Sequence, residues 1–423
     1  MADAFQLSHQ YSRDFRKFWI GQTISTLGSS CTGFALPLLI FQLTRSPLNL
    51  ALTVVMSAMP YLLFGLLLGA WADRVKRKYA MIAIDIMRAL LVAAIPLLFM
   101  LGLLSVGWIY AVAFLCSTLS IGFDAANFAA VPSLVKREDL VIANGRLQAS
   151  YSAAGIAGPL LAGLLLAVMP LSMILLIDAA SFLISAASLA WIGKSFNPET
   201  KGEKVSTRIH NEVFEGLNYI LKQPILRWIL LLLLFINFIV PTPLAQIVLF
   251  AKQWLAASDS QIGLLLAAGG LGTVIFSLAA EQLRKLLPFA VVTLGSIMLE
   301  GLMLAGMALT HQYWIAVLLW AMSRGSSVLF NVSTYSLTQT IVANALLGRV
   351  ISFIRVLTWS TASLGALLGG LIIEYTNVAL IYAVIGLLTF FIALVFFLTP
   401  LGHTEHFLPV EQLMTGGAQE ENV

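Results

Sequence analysis

The residues in this sequence that could do chemistry are a few ionisable side chains that interrupt long apolar runs. Glu300 and Arg324 lie deepest, in two consecutive runs, at 11 and 13 residues from the polar turn at His311. Asp124 lies in another run, towards one of its ends. A charge inside such a run is costly unless it is paired or reaches water, so these residues are the first candidates for a functional site.

Each of these charges has a structural and a functional interpretation. Glu300 and Arg324 form either a structural salt bridge or a site in which Glu300 titrates and Arg324 faces a substrate. Asp85 and Arg88 lie one helical turn apart and can pair, either as an extension of a basic turn or in gating. Asp178, near the end of its run, is expected to reach interfacial water.

Enzymatic and metal-binding sites are not indicated. A serine–histidine dyad or a zinc site needs histidine at depth, and the histidines all lie in loops or tails, at His9, His210, His311, His403 and His406. The phosphate-binding pattern Gly-x-x-x-x-Gly-Lys does not occur. The sequence therefore predicts no enzyme, no metal site and no cofactor.

The composition identifies the environment of these residues. Of the 423 residues, 59% are hydrophobic and 10% charged, against roughly 45–50% and about 25% in soluble domains. A helix needs about 20 apolar residues to cross a bilayer. Twelve such runs occur, at about 18–43, 48–72, 79–103, 107–131, 147–170, 172–193, 226–251, 260–282, 288–310, 313–340, 350–373 and 378–399.

The positive charges set the orientation of these twelve predicted spans. Nineteen Lys and Arg side chains fall on one side, while only Arg45 and Lys252 fall on the other. Cytoplasmic loops carry the excess of Lys and Arg, so both termini are expected in the cytoplasm of a multi-pass cell (inner or plasma) membrane protein. This distribution accounts for the net charge of +4, and no nucleic-acid partner is needed to explain it.

The predicted fold is an all-α membrane protein with two pseudo-symmetric six-helix bundles. The bundles are expected at 1–193 and 226–399, joined by a cytoplasmic linker at 194–225 with an amphipathic helix and followed by a flexible cytoplasmic tail at 400–423. The glycine-rich stretches 158–163 and 365–370 repeat at an offset of 207 residues. Such an internal repeat suggests a transporter with its site near the membrane midplane.

The turn after the second span carries a family resemblance. Residues 69–78 read GAWADRVKRK, which resembles the signature Gly-x-x-x-Asp-Arg-x-x-Arg-Lys/Arg of the major facilitator superfamily. In that family the turn braces one half of the protein against the other and helps to set the outward-facing state. The resemblance implies this gating role for Gly69, Asp73, Arg74 and Arg77.

The fifth span resembles a second motif of the family, one found in antiporters. Family antiporters carry Gly-x-x-x-Gly-Pro-x-x-Gly-Gly there, and this chain has Gly158, Pro159 and Gly163, with alanine at positions 154 and 162. Small residues allow close helix packing, and proline bends a helix. The resemblance implies a conformational role for this span and favours export.

Further stretches resemble the macrolide-efflux and enterobactin-exporter branch of the drug:proton antiporters. They include residues 123–126, 131–135, 215–220, 223–227 and 261–264. The resemblance implies a monomeric exporter of amphipathic small molecules, driven by protons. Uptake by a symporter or uniporter of a small metabolite stays open, because the same fold allows it.

The resemblance also implies which residues meet substrate and protons. Spans one, four, seven and ten are expected to line the cavity, with polar candidates at Gln22, Thr23, Asn237, Arg324, Asn331 and Tyr335. The proton-coupling candidates are Glu300 first and Asp124 second.

Overall fold

The computed structural model describes residues 13–72, 75–135, 140–166, 168–196, 219–342 and 344–402. These residues form helices and no strands. The helices are α1 (Arg13–Thr44), α2 (Pro47–Ala72), α3 (Arg77–Met100), α4 (Val106–Leu134), α5 (Leu140–Leu165), α6 (Leu171–Ala190), α7 (Pro224–Ile239), α8 (Pro241–Ala245), α9 (Ile247–Gln253), α10 (Asp259–Leu286), α11 (Phe289–Leu309), α12 (Tyr313–Ile341), α13 (Asn344–Tyr375) and α14 (Val378–Phe397).

Eleven helical segments in the described part of the chain are long and apolar enough to cross a membrane. The fifth predicted span, at 147–170, corresponds to α5, which is 26 residues long but is not among these eleven. Its first half carries polar residues, including Asn144, Arg146 and Gln148. The all-helical membrane fold predicted from the sequence is confirmed. The predicted amphipathic helix in the linker lies mostly outside the described residues.

The seventh predicted span is broken into three consecutive helices, α7, α8 and α9. Pro241 and Pro243 carry no backbone N–H, so the carbonyls four residues earlier lose their helical donors. Gln246 leaves the helical conformation, at φ −103° and ψ 7°. The apolar run predicts the span but not this break, which places backbone carbonyls within reach of side chains from other helices.

The chain divides into two compact units. The first unit contains Met1–Leu39 and Met59–Glu203, and the second contains Ile40–Ala58 and Lys204–Val423. The segment Ile40–Ala58, which the sequence assigns to the N-terminal bundle, therefore groups with the second unit. Within that unit the Gln246 side-chain amide donates to the carbonyl of Pro47 at 2.8 Å.

Equivalent glycines of the two units make equivalent contacts. In the first unit, Gly158 of α5 packs against Ser30 and Cys31 of α1, and its carbonyl accepts from the Cys31 thiol at 3.4 Å. In the second unit, Gly365 of α13 packs against α7, and its carbonyl accepts from the Thr242 hydroxyl at 3.0 Å. The repeat read from residues 158–163 and 365–370 thus corresponds to the same packing in each unit.

The close contact at Gly158 predicts a stability difference between two neighbouring glycines. A Cβ at Gly158 would lie 2.3 Å from the Cβ of Ser30, whereas a Cβ at Gly155 meets nothing within 4 Å. We expect Gly158→Ala to lower the free energy of unfolding by about 1–3 kcal/mol. The matched control Gly155→Ala should be neutral or slightly stabilising, because alanine favours helix. Thermal unfolding of both purified variants measures this, and equal midpoints would contradict it.

Candidate functional site

A cavity of about 760 Å³ lies between α4 and α5 in the first unit. Its lining residues are Asp124, Asn127, Phe128 and Val131 from α4 and Asn144, Gly145, Leu147, Gln148 and Tyr151 from α5. Of the proton-coupling and substrate candidates predicted from the sequence, Asp124 lines this cavity, and its side chain is exposed.

The helical periodicity of α4 and α5 explains why these residues share a cavity. On α4 they recur at three- and four-residue intervals, which places them on one face of the helix. Phe123 and Ala126, on another face of α4, are buried in the core of the first unit. On α5 the neighbouring face meets α1 instead, where Ser150 accepts a hydrogen bond from the Trp19 indole at 2.9 Å.

Polar groups in the cavity are only partly satisfied by one another. The Asn127 amide donates to the Tyr151 hydroxyl at 3.1 Å. The Asn127 carbonyl oxygen is buried and has no hydrogen-bond partner among the described residues. A buried acceptor without a donor costs free energy, so this oxygen favours a ligand or water that donates to it.

Asp85 and Arg88 form the buried ion pair that their spacing allows. Asp85 is fully buried, and the Arg88 guanidinium lies 4.4 Å from the ring centroids of both Phe123 and Phe182. Arg88 also donates to the Ser120 hydroxyl at 3.3 Å. These contacts join α3, α4 and α6 around one guanidinium, and the gating role of the pair stays a prediction.

Asp178 is a buried acid that the sequence analysis assigned wrongly to interfacial water. It is only 1% exposed and accepts hydrogen bonds from Ser181 at 3.2 Å and Ser29 at 3.4 Å. Ser181 and Ser185, three and seven residues further along α6, put hydroxyls on the same face as this acid. That polar face was the signal in the sequence that Asp178 packs against another helix.

Glu300 is a buried charge of the second unit. It is 0% exposed, and neither carboxylate oxygen accepts a hydrogen bond of good geometry from the described residues, although the Ser327 hydroxyl is near enough to interact with it. Arg324 is near enough for the two charges to attract each other, but no nitrogen of Arg324 lies within 4 Å of the carboxylate. The direct salt bridge that the sequence left open is therefore not present.

Arg324 is held by residues of two helices. Its guanidinium carbon lies 5.8 Å from the ring centroid of Trp320, on the preceding turn of α12. Its stem packs over Gly269 of α10, where a Cβ would lie 3.1 Å from the Arg324 Cγ. The absence of a side chain at Gly269 therefore makes room for this arginine.

The other predicted cavity residues occupy several different places. In the first unit, Gln22 is buried and donates to Ser185 at 3.0 Å, while Thr23 hydrogen-bonds with Ser150 at 2.9 Å. Both side chains thus join α1 to neighbouring helices. Their role in a substrate cavity stays a prediction.

Asn237, Asn331 and Tyr335 lie in the second unit. The amides of Asn237 and Asn331 each donate to a carbonyl four residues earlier in their own helices, at 2.8 Å. Asn331 and Tyr335 line a small cavity with Leu233 of α7 and Ile354 of α13. The structure thus brings these two together, and Asn237 is not among the described residues that line this cavity.

The gating candidates in the turn after the second span lie only partly among the described residues. Arg77 donates to the Phe196 carbonyl at 3.3 Å, which joins the start of α3 to the segment after α6. Gly69 belongs to α2, and Asp73 and Arg74 lie outside the described residues. In α5, Pro159 and Gly163 follow the close contact at Gly158.

A multi-helical membrane fold with an amphipathic cavity and a few buried charges is typical of secondary transporters. The sequence model of the transmembrane secretion effector family matches residues 7–418. The chain therefore belongs to this family of major facilitator superfamily transporters. The protein is thus a multi-pass membrane transporter and not an enzyme.

The relatives of this chain include transporters, and some of them are named for efflux or export. An uncharacterised MFS-type transporter of Bacillus subtilis, YfiS, is 27% identical over 386 residues, which cover 88% of this chain and 90% of the relative. The enterobactin exporter EntS of Escherichia coli is 27% identical over 86% of both chains. Macrolide efflux protein A of Streptococcus pyogenes is 28% identical over 42% of this chain and 44% of its own length.

Solved structures show the same fold at low identity. A bacterial homologue of the iron transporter ferroportin matches 90% of this chain and 98% of its own, with a TM-score of 0.71 and 18% identity. The nucleoside transporter NupG matches 91% and 98%, with a TM-score of 0.73 and 14% identity. Likenesses this distant show the fold and carry no substrate.

The Asp85–Arg88 pair predicts that one substitution lowers stability strongly and that a second one recovers much of the loss. Arg88→Met leaves Asp85 buried without its cation, and we expect a loss of about 3–5 kcal/mol in the free energy of unfolding. Adding Asp85→Asn removes the uncompensated charge and should recover much of that loss. Arg355→Met, at an exposed arginine of α13, is the control and should leave the thermal midpoint unchanged. An Arg88→Met variant that is as stable as wild type would disprove the structural role of the pair.

Proposed function

We propose that this transporter exports amphipathic small organic molecules across the cell membrane in exchange for protons. It acts as a monomer with both termini in the cytoplasm. The observation that carries the proposal is Glu300, a fully buried carboxyl group that has no direct ion pair among the described residues and only the Ser327 hydroxyl near enough to donate to it. A secondary antiporter needs one group whose proton occupancy depends on conformation, and Glu300 has the chemistry for that role.

The energetics of burial connect Glu300 to a proton. An unpaired carboxylate in an apolar interior costs several kcal/mol, and a neutral carboxyl group avoids most of that cost. A movement of α11 or α12 that brings water to Glu300 favours release of its proton. Arg324, which attracts the charged form, assists that release. Asp124 is the second candidate for the proton, since its carboxylate already faces a cavity.

The direction of transport is supported by two observations. Gly158 and Pro159 of α5 match the antiporter motif of the superfamily, and Gly158 makes a close contact with α1. The relatives EntS and macrolide efflux protein A are named for export. Gly69, Asp73, Arg74 and Arg77, together with Gly163 and the Asp85–Arg88 pair, are proposed to control the conformational change.

The cavity between α4 and α5 supports the proposed size and character of the substrate. Its volume of about 760 Å³ lies in the range of roughly 300–1,000 Å³ that holds drug-sized ligands. Phe128 and Val131 offer apolar surface beside the amides of Asn144 and Gln148. Gln22, Thr23, Asn237, Arg324, Asn331 and Tyr335 remain the proposed contacts elsewhere along the substrate path.

Uptake of a small metabolite by symport or uniport is the alternative. Alanine at positions 154 and 162 departs from the antiporter motif, and the same fold serves uptake as well as export. A drug-sensitive host that expresses the protein distinguishes the two, with macrolides, dyes and siderophores as the panel and Asp73→Asn as the inactive control. Export lowers susceptibility, whereas uptake leaves it unchanged or raises it.

The role of Glu300 predicts loss of coupling in one variant. With Glu300→Gln, substrate exchange in proteoliposomes should no longer respond to a pH gradient, because the neutral amide cannot carry a proton. Substrate-driven proton movement, followed with an entrapped pH dye, should fall at least tenfold. Glu374→Gln, at an exposed acid of α13, should retain wild-type coupling. Full coupling in Glu300→Gln, with normal folding, would rule out this assignment.

A further inference from the structure

Among the described residues that line the cavity between α4 and α5, Asp124 is the one that carries a charge. Its side chain is exposed, and no Lys or Arg nitrogen among the described residues lies within 4 Å of its carboxylate. The described lining therefore carries a negative charge that has no direct ion pair, and Arg88 acts on it only from beyond 4 Å. A cationic ligand gains from that charge, and an anionic ligand is repelled by it.

The neighbouring cations already have other partners. Arg88 is paired with Asp85 and enclosed by the rings of Phe123 and Phe182. Arg146, on α5, lies with its guanidinium carbon 5.6 Å from the ring centroid of Trp19 on α1. Neither arginine is among the described residues that line the cavity, so the carboxylate of Asp124 faces the cavity without a cation beside it there.

The hydrogen-bonding groups beside Asp124 also favour a donor. The Asn127 carbonyl oxygen is an unsatisfied buried acceptor on a residue that is 6% exposed, and it lies one turn from Asp124 on the same face. The amide nitrogen of Asn127 donates a hydrogen bond to the Tyr151 hydroxyl. A protonated amine carries N–H donors but no acceptor, so it matches a carboxylate next to an unpaired carbonyl.

The apolar side chains of the lining can contact the apolar part of such a ligand. Phe128 is 81% exposed and lies next to Val131 and Leu147 in the lining. An aromatic face attracts a cation as well as a hydrocarbon surface. A divalent metal ion is a poorer match, because the described residues contain no cluster of three His, Cys, Asp or Glu side chains.

We infer that Asp124 anchors the protonated amine of a monovalent, amphipathic organic cation, with Asn127 as the second acceptor and Phe128 against the apolar body. This inference rests on the proposed export function and names the substrate class for it. It also divides the two acidic candidates, since Asp124 then holds the substrate and Glu300 holds the proton.

Binding to the purified, full-length protein in lipid nanodiscs tests the inference. The probes are three dansyl-labelled six-carbon chains that end in an amine, an alcohol or a carboxylate, so that only the terminal charge differs. For wild type we expect the amine to bind at least tenfold tighter than the alcohol, and the carboxylate to bind weakest. Equal affinities, or a preference for the carboxylate, would overturn the inference without any variant.

Substitutions at Asp124 then locate the preference. Asp124→Asn should weaken binding of the amine about tenfold and leave the alcohol unchanged, while Asp124→Glu should keep the preference. Glu374→Gln is the control at an acid outside the cavity. Amine preference that survives in folded Asp124→Asn contradicts the assignment. The coupling assay on Glu300→Gln reads proton exchange separately, so failure of antiport and failure of amine binding are distinguishable.

Discussion

The cost of placing a charge in an apolar interior determines what each ionisable residue of this protein does. Charged groups inside a membrane protein are tolerated when they are paired, reach water, or are neutralised. Asp85 takes the first solution through Arg88, and Asp124 takes the second by facing a cavity. Glu300 has no direct ion pair among the described residues, and only Ser327 is near enough to donate to it, so proton uptake is the largest remaining way to lower its cost.

The same constraint acts on the backbone. Prolines 241 and 243 interrupt the seventh span and remove helical donors, and unpaired carbonyls are not tolerated in a hydrocarbon environment. The Tyr382 hydroxyl donates to the Pro243 carbonyl at 2.6 Å. Gln246, just beyond, is fully buried and donates to the carbonyl of Pro47. These two hydrogen bonds join the broken span to α14 and to the start of α2 within the unit.

Much of the fold could be predicted because its signals are local. Runs of about 20 apolar residues gave the spans, and the glycines at 158 and 365 gave the repeat, since both depend on short stretches of sequence. The partners of buried charges depend on contacts between distant helices. The sequence therefore could not match Asp178 to Ser29, 149 residues earlier. It also could not decide whether Glu300 and Arg324 form a direct salt bridge. Predicting the cavity requires the orientation of α4 and α5 about their axes, and the apolar composition of these helices does not determine it.

If Asp124 holds the substrate amine and Glu300 holds the proton, the two ligands do not compete for one carboxylate. Exchange then has to be coupled through conformation, with each ligand favouring a different state of the protein. Such coupling is bounded by the difference in affinity between states, and a shift from 1:99 to 99:1 needs about 5.5 kcal/mol. Burial of an unpaired carboxylate involves a free energy of that order. Glu300 alone therefore has enough energetic contrast to drive the exchange, provided that one state brings it to water.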